Sequence, residues 1–151
     1  MLMEFLMLSS AGVLFTDSKF MRRVMAIVMP ALSFFWIYNI ITKDISKVFS
    51  IFLILSFITI TVLYINIIVN KALFTKKAVF QNPIFLISIS LIIYCAGTVP
   101  LYGLMNILIE GNKVLAKQLF TINMVAAIMR YTLLALAIYL YIRQAKREIA
   151  A

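Results

Sequence analysis

Two residues in this chain stand where ionisable side chains are costly. Glu4 interrupts the apolar run Leu2–Phe15, and Arg130 lies near the middle of another run that ends at Ile142. A charge at the centre of a bilayer costs about 2.5 to 3.5 kcal/mol on insertion scales, so such residues turn toward protein or water and take a partner. Glu4 is the only acid inside any of the apolar runs, which makes an ion pair with Arg130 the simplest reading. The alternative leaves Arg130 on a backbone carbonyl or an ordered water and Glu4 at the membrane interface. With Asn39, Tyr102, Asn106 and Asn123 these two form the set of polar side chains that a ligand pocket in the middle or outer half of a helix bundle would use.

The same inventory excludes other chemistry. There is no histidine and one cysteine, Cys95, so an intramolecular disulfide, the common zinc constellations and histidine-ligated haem are ruled out. Cys95 sits in an apolar run and reads as a small packing residue rather than a reactive thiol. No catalytic residue, metal ligand or cofactor is expected. One intramembrane carboxylate with no histidine and no second acid is a poor set for hydrolysis. No lysine lies within a span to form a retinal Schiff base.

The elements that must hold these residues follow from composition. Of 151 residues, 65% are hydrophobic and 13% charged. A soluble domain carries about 45 to 50% apolar and about 25% charged residues, and a chain this short cannot bury the excess. Its solvent is lipid. A spanning helix needs about 20 mostly apolar residues. The spacing predicts an all-α, polytopic bundle in a single domain, with spans over Val24–Ile41, Val48–Val69, Ile84–Ile109 and Leu119–Ile142. The fifth segment, Leu2–Phe15, is short. A signal peptide is disfavoured, because no basic region precedes it and Glu4 opens it. An interfacial helix is compatible with the charges that follow, but a truncated span is the preferred reading.

Charge fixes an expected orientation. The net charge of +9 could suggest nucleic acid, but the cations lie between the apolar runs and at the C-terminus, where headgroups would place them. Nucleic acid is therefore not an expected partner; the bilayer is. If every segment crosses, Lys19, Arg22, Arg23, Lys71, Lys76, Lys77, Arg143, Lys146 and Arg147 share one side. Lys43, Lys47, Lys113 and Lys117 take the other. Nine against four predicts a cytoplasmic C-terminus and an outer N-terminus. The loop from Asn70 to Pro83, with Phe74 and Phe80 among its lysines, is expected to lie among the headgroups.

Polar and small residues in spans turn toward other helices. Three stripes show helical spacing: Ser56, Thr59, Asn66, Asn70; then Ser88, Cys95, Thr98, Tyr102, Asn106; then Asn123, Ala126, Ala127, Arg130, Ala137. The bland reading of each is a packing seam. Gly97, Pro100 and Gly103 follow at steps of three, and the proline predicts a kink near Ala96–Pro100 that would either open a cavity or simply improve packing.

The stretch Asn82–Thr98 (NPIFLISISLIIYCAGT) resembles the NPxFWIxxGLLIYFxGT signature of a family of uncharacterised seven-helix bacterial inner-membrane proteins. Met3-Glu4-Phe5-Leu6-Met7-Leu8 resembles the IEFLLL motif that opens that family's third helix. Leu86 stands where the family has Trp, and Ser90 where it has Gly. The resemblance covers nearly the whole chain and implies that the family's first two helices are missing here. Dropping two spans keeps the parity of crossings, so the expected orientation stands. It further implies a sensory or accessory role without naming a ligand.

Three function classes follow. The first is a sensory or accessory module that binds a small apolar or lipid-like ligand, or a partner membrane protein such as a signalling protein or a second copy. The second is a membrane-embedded lipid-processing enzyme, and the third a subunit of a small carrier. The last apolar helix continuing through Arg143–Glu148 would favour the first, although a plain basic anchor also explains that tail.

Overall fold

In the computed structural model the backbone is described over residues 2–42, 45–72, 81–111 and 113–149. Side chains are described over 2–42, 51–71, 81–104 and 114–144, with 111 and 146. Every regular element among the described residues is helical: α1 (Leu2–Phe15), α2 (Lys19–Thr42), α3 (Ile45–Ile67), α4 (Pro83–Gly111) and α5 (Lys113–Ile149). Four of them are long and apolar enough to cross a membrane, over Lys19–Thr42, Ile51–Lys71, Pro83–Leu104 and Val114–Gln144, as expected. The α1 helix has 14 residues, about 21 Å, against about 30 Å of hydrocarbon. The expected headgroup loop falls largely outside the described residues.

Local sequence sets the helix starts. Ser18 caps α2, its Oγ accepting from Met21 N–H at 3.3 Å. Asn82 caps α4, its Oδ1 accepting from Ile84 N–H at 3.0 Å, and Pro83 fills the first helical position, where its missing N–H is harmless. The end of α1 is closed by cations instead. Arg22 Nε and Nη2 both donate to the Thr16 carbonyl, at 3.0 and 2.8 Å, and Lys71 Nζ donates to the Phe15 carbonyl at 3.3 Å. Positive side chains here meet the negative end of the helix dipole. Two features have no counterpart in the expected spans: Pro30 inside α2, and a π-helical turn, Ile68–Ala72, closing α3.

The α3 helix is the hub. α1, α2 and α4 pack on it, and α5 packs along α4. Phe5 meets Phe52 edge-on, Gly12 meets Leu63, and Thr16 Oγ1 donates to Asn66 Oδ1 at 3.1 Å, so α1 and α3 run parallel. Gln81 with Gln144, Tyr94 with Arg130 and Thr98 with Asn123 make α4 and α5 an antiparallel hairpin. These directions gather the ends at Asp17, Lys71, Gln81 and Gln144 on one side of the bundle. The core is built on Phe52, Ile60, Leu63, Tyr64, Ile67 and Leu91. Large apolar residues of α2 and α5, among them Phe34, Ile41, Ile128 and Ile138, are exposed on the outside, where lipid suits them.

Candidate intramembrane polar site

The site grows from the α4–α5 seam. Small residues let the two helices approach: a Cβ added to Gly97 would lie 3.0 Å from the Ala126 Cβ. Ala126, Arg130 and Ala137 are buried and Asn123 and Ala127 half-buried, so the α5 stripe faces inward as its spacing predicts. Arg130 lies about 20 Å of helix from both Lys117 and Arg143, at the middle of its span. There its Nη1 donates to Glu4 Oε1 at 2.9 Å, and its Cζ lies 4.4 Å from the Tyr94 ring centroid and 5.4 Å from that of Tyr131. Of the two readings open at the start, the structure contains the ion pair. A guanidinium over an aromatic face gains electrostatic attraction that grows with desolvation. The buried Nε has no hydrogen-bond partner in the protein.

Glu4 reaches Arg130 because α1 lies against α3 at that depth. Tyr64 Oη donates to the Leu8 carbonyl at 3.1 Å, pinning the helix between Phe5 and Thr16. About 16 Å of helix separates Glu4 from the end of α1 at Phe15. Its pairing sets the acid at the depth of Arg130, midway along α5. A small cavity of about 10 Å³ for the centre of a water molecule lies beside it, lined by Glu4, Phe5, Phe52, Ser56, Phe57 and Ile60 among others. That is space for one water. Ser56 is buried, and its hydroxyl has no hydrogen-bond partner in the protein.

Of the other expected residues, Asn39, Tyr102 and Asn123 take separate partners. Asn123 lies 2.9 Å from Thr98 Oγ1, which also sits 2.6 Å from the Tyr94 carbonyl. A hydroxyl has one proton, so the consistent arrangement gives it to the carbonyl and has the Asn123 amide donate to the hydroxyl oxygen. Asn39 is buried but spends its amide on the Phe35 carbonyl of its own helix, at 2.6 Å. Tyr102 stacks on Phe57, with centroids 6.4 Å apart. Asn106 lies outside the residues whose side chains are described. Of the expected kink residues, Gly97 serves the approach to Ala126 and Gly103 lies against Ile54. α4 runs on through Pro100, beside an apolar groove of about 270 Å³ lined by Ile58, Thr61, Cys95, Ala96, Val99 and Pro100 among others.

The expected α3 stripe divides. Ser56 is buried and Thr59 and Asn66 are half-buried, but Asn70 is exposed; Thr59 satisfies its hydroxyl on the Leu55 carbonyl and Asn70 its amide on the Asn66 carbonyl. A side chain that bonds its own helix has no need of a neighbour. Tyr94 is the functional neighbour that the polar stripes omitted. It stands four residues before Thr98, hence on the same face, and that spacing was the available signal.

The Thr98–Asn123 contact should be worth little. Replacing Thr98 with valine is expected to cost about 0.6 kcal/mol, the usual size of an interhelical hydrogen bond in membranes. A double-mutant cycle with Asn123→Leu, read by reversible unfolding in bicelles, should recover that coupling. A coupling several times larger would give this contact the central role assigned here to Arg130.

Among the described residues no group of three or more His, Cys, Asp or Glu comes together as a metal site would require. The class defined by fold and site is thus an all-α membrane-type helix bundle with a charged pair at its centre. No family model, curated protein or solved structure matches the chain.

Proposed function

We propose that this protein is a multi-pass bacterial inner-membrane module of sensory or accessory type, in which the Glu4–Arg130 pair latches α1 to the α4–α5 hairpin. One observation carries the reading. α1 packs on α2 and α3, α5 packs on α4, and the ion pair joins two helices that share no extended interface. Such a joint is a natural two-state element. A ligand that binds better when the pair is open shifts the population toward the open form by its difference in affinity. The α5 helix is continuous from Lys113 to Ile149, so a tilt at Arg130 is carried past Arg143 to the basic end. The apolar groove at Pro100 suits a small apolar or lipid-like ligand. The resemblance to seven-helix inner-membrane proteins supports the same reading, and the nine cations that share one side if every segment crosses support a cytoplasmic C-terminus.

The test is a distance between labels at the start of α1 and the end of α5, in nanodiscs, during titration with fatty acid, lysolipid and isoprenoid. A shift with one class, absent when both Glu4 and Arg130 are leucine, is the expected result. An unchanged distance with every class, together with turnover of lysolipid that is lost on changing Glu4, would replace the module with an enzyme.

Orientation has its own prediction. A cysteine in place of Ala151 should resist a membrane-impermeant maleimide in intact cells and react once the membrane is opened. Labelling in intact cells would invert the topology.

A further inference from the structure

The surface of α1 has two faces in strict register. Phe5, Ser9, Gly12 and Thr16 are buried, while Met3, Met7, Ser10 and Leu14 are exposed, at steps of four, three and four. That heptad spacing presents a straight seam to a neighbouring helix, and Ser10 in the middle of it permits close approach. Lipid can cover Met3, Met7 and Leu14. It cannot serve Glu4, which borders the seam.

The Glu4 side chain is 42% exposed although it lies at the depth of Arg130, midway along α5, while that of its partner Arg130 is only 10% exposed. The unmet demand therefore sits on the acid. A carboxylate offers about four acceptor sites, and the pair provides one hydrogen bond, Nη1 to Oε1. The cavity on the α3 side has room for one water. On the exposed side, acyl chains offer no donor.

We infer that the Met3–Met7–Ser10–Leu14 seam docks a transmembrane helix of another protein, one that brings a hydrogen-bond donor, an amide or a cation, to the depth of Glu4. Charge complementarity selects this occupant over a second copy of the same face. A two-fold contact along the seam sets one Glu4 carboxylate near the other, and like charges in hydrocarbon repel. A partner donor instead completes the carboxylate's shell and buries the exposed half of the side chain. The use of such a partner rests on the accessory-module reading above, but its binding can be measured without it.

The experiment uses the full chain in lipid vesicles, with a dye on a cysteine replacing Ala151. Its probes are labelled leucine–alanine transmembrane peptides that differ only in one central residue, asparagine or leucine. The asparagine peptide is expected to associate about tenfold more tightly, by energy transfer. That preference should vanish when Glu4 and Arg130 are both leucine, a change that leaves no lone charge. Ser10→Trp, on the exposed seam and away from the pair, should block association without disturbing the fold, whereas Phe34→Trp on α2 should not.

Equal binding of both peptides overturns the inference, as does binding indifferent to Ser10→Trp. Self-association of the wild-type chain that Ser10→Trp abolishes would assign the seam to a second copy instead. Failure here with a ligand-driven change in the α1–α5 distance intact would remove the seam and keep the latch.

Discussion

Replacing Arg130 with leucine is expected to destabilise the bundle by about 3 kcal/mol, and replacing Glu4 at the same time to recover much of that loss. Alone, Arg130→Leu leaves a carboxylate in hydrocarbon with no cation, and it removes the guanidinium from the Tyr94 face, 4.4 Å away. The Glu4 side chain is 42% exposed and can turn away from the bundle, whereas that of Arg130 is only 10% exposed, and about 20 Å of helix to either flanking cation is too far for it to reach the interface. Glu4→Leu should therefore be at least as damaging as Arg130→Leu, with the double variant the mildest of the three. This order is diagnostic. If Arg130 mattered only as a bulky packing residue, its removal would be the worst single change and the double variant worse still. The measurement is reversible unfolding in bicelles, read beside the α1–α5 label distance. Wild-type stability and distance in Arg130→Leu would dismiss the pair.

Much of the architecture was legible because hydropathy and charge mark the hydrocarbon slab directly. Their edges are edges of the slab, not of the helices. For that reason α5 begins at Lys113 and runs to Ile149, beyond the expected span 119–142, and α2 begins at Lys19 rather than Val24. The inward face of α5 was legible because alanines with one arginine have little reason to face lipid. Asn70 misled, since an amide group can satisfy itself four residues back along its own helix. Asn39 spends its amide in the same way, although it is buried. Tyr94 was legible only through its spacing from Thr98, since an aromatic ring in an apolar run by itself looks the same whether it meets lipid or a guanidinium. Asn39, Tyr102 and Asn123 were grouped by depth alone, and each takes a different neighbour because residues at similar depth on different helices need not share a face.

Gly12→Leu is expected to release α1 from the bundle. At Gly12 the α1 and α3 helices are so close that an added Cβ would clash with the Leu63 Cδ2 atom and lie 3.0 Å from its Cγ and 3.4 Å from Tyr64 Cε2. A methyl at the tip of a flexible side chain can usually swing aside. Here Leu63 and Tyr64 are both buried, at 0% and 1% exposure, and Tyr64 is held on the Leu8 carbonyl. The strain must therefore move the helix. Gly12→Ala should cost about 1 to 3 kcal/mol, the range for overpacking a closed core, and leucine more than that. Leu63→Ala opens a cavity at the same place, so it should relieve Gly12→Ala while harming the wild type. The proper control is Gly111→Ala, where nothing lies within 4 Å of the new methyl and helix propensity alone makes the change neutral or favourable by up to about 1 kcal/mol. The consequence reaches the charged site. Since Glu4 is delivered by the contacts from Phe5 to Thr16, displacing α1 at Gly12 should separate Glu4 from Arg130 while the α4–α5 hairpin, held by Gly97 on Ala126, keeps its own distance. A crosslink between α1 and α5 that survives Gly12→Leu would mean that the ion pair holds α1 in place by itself, and that packing on α3 is secondary.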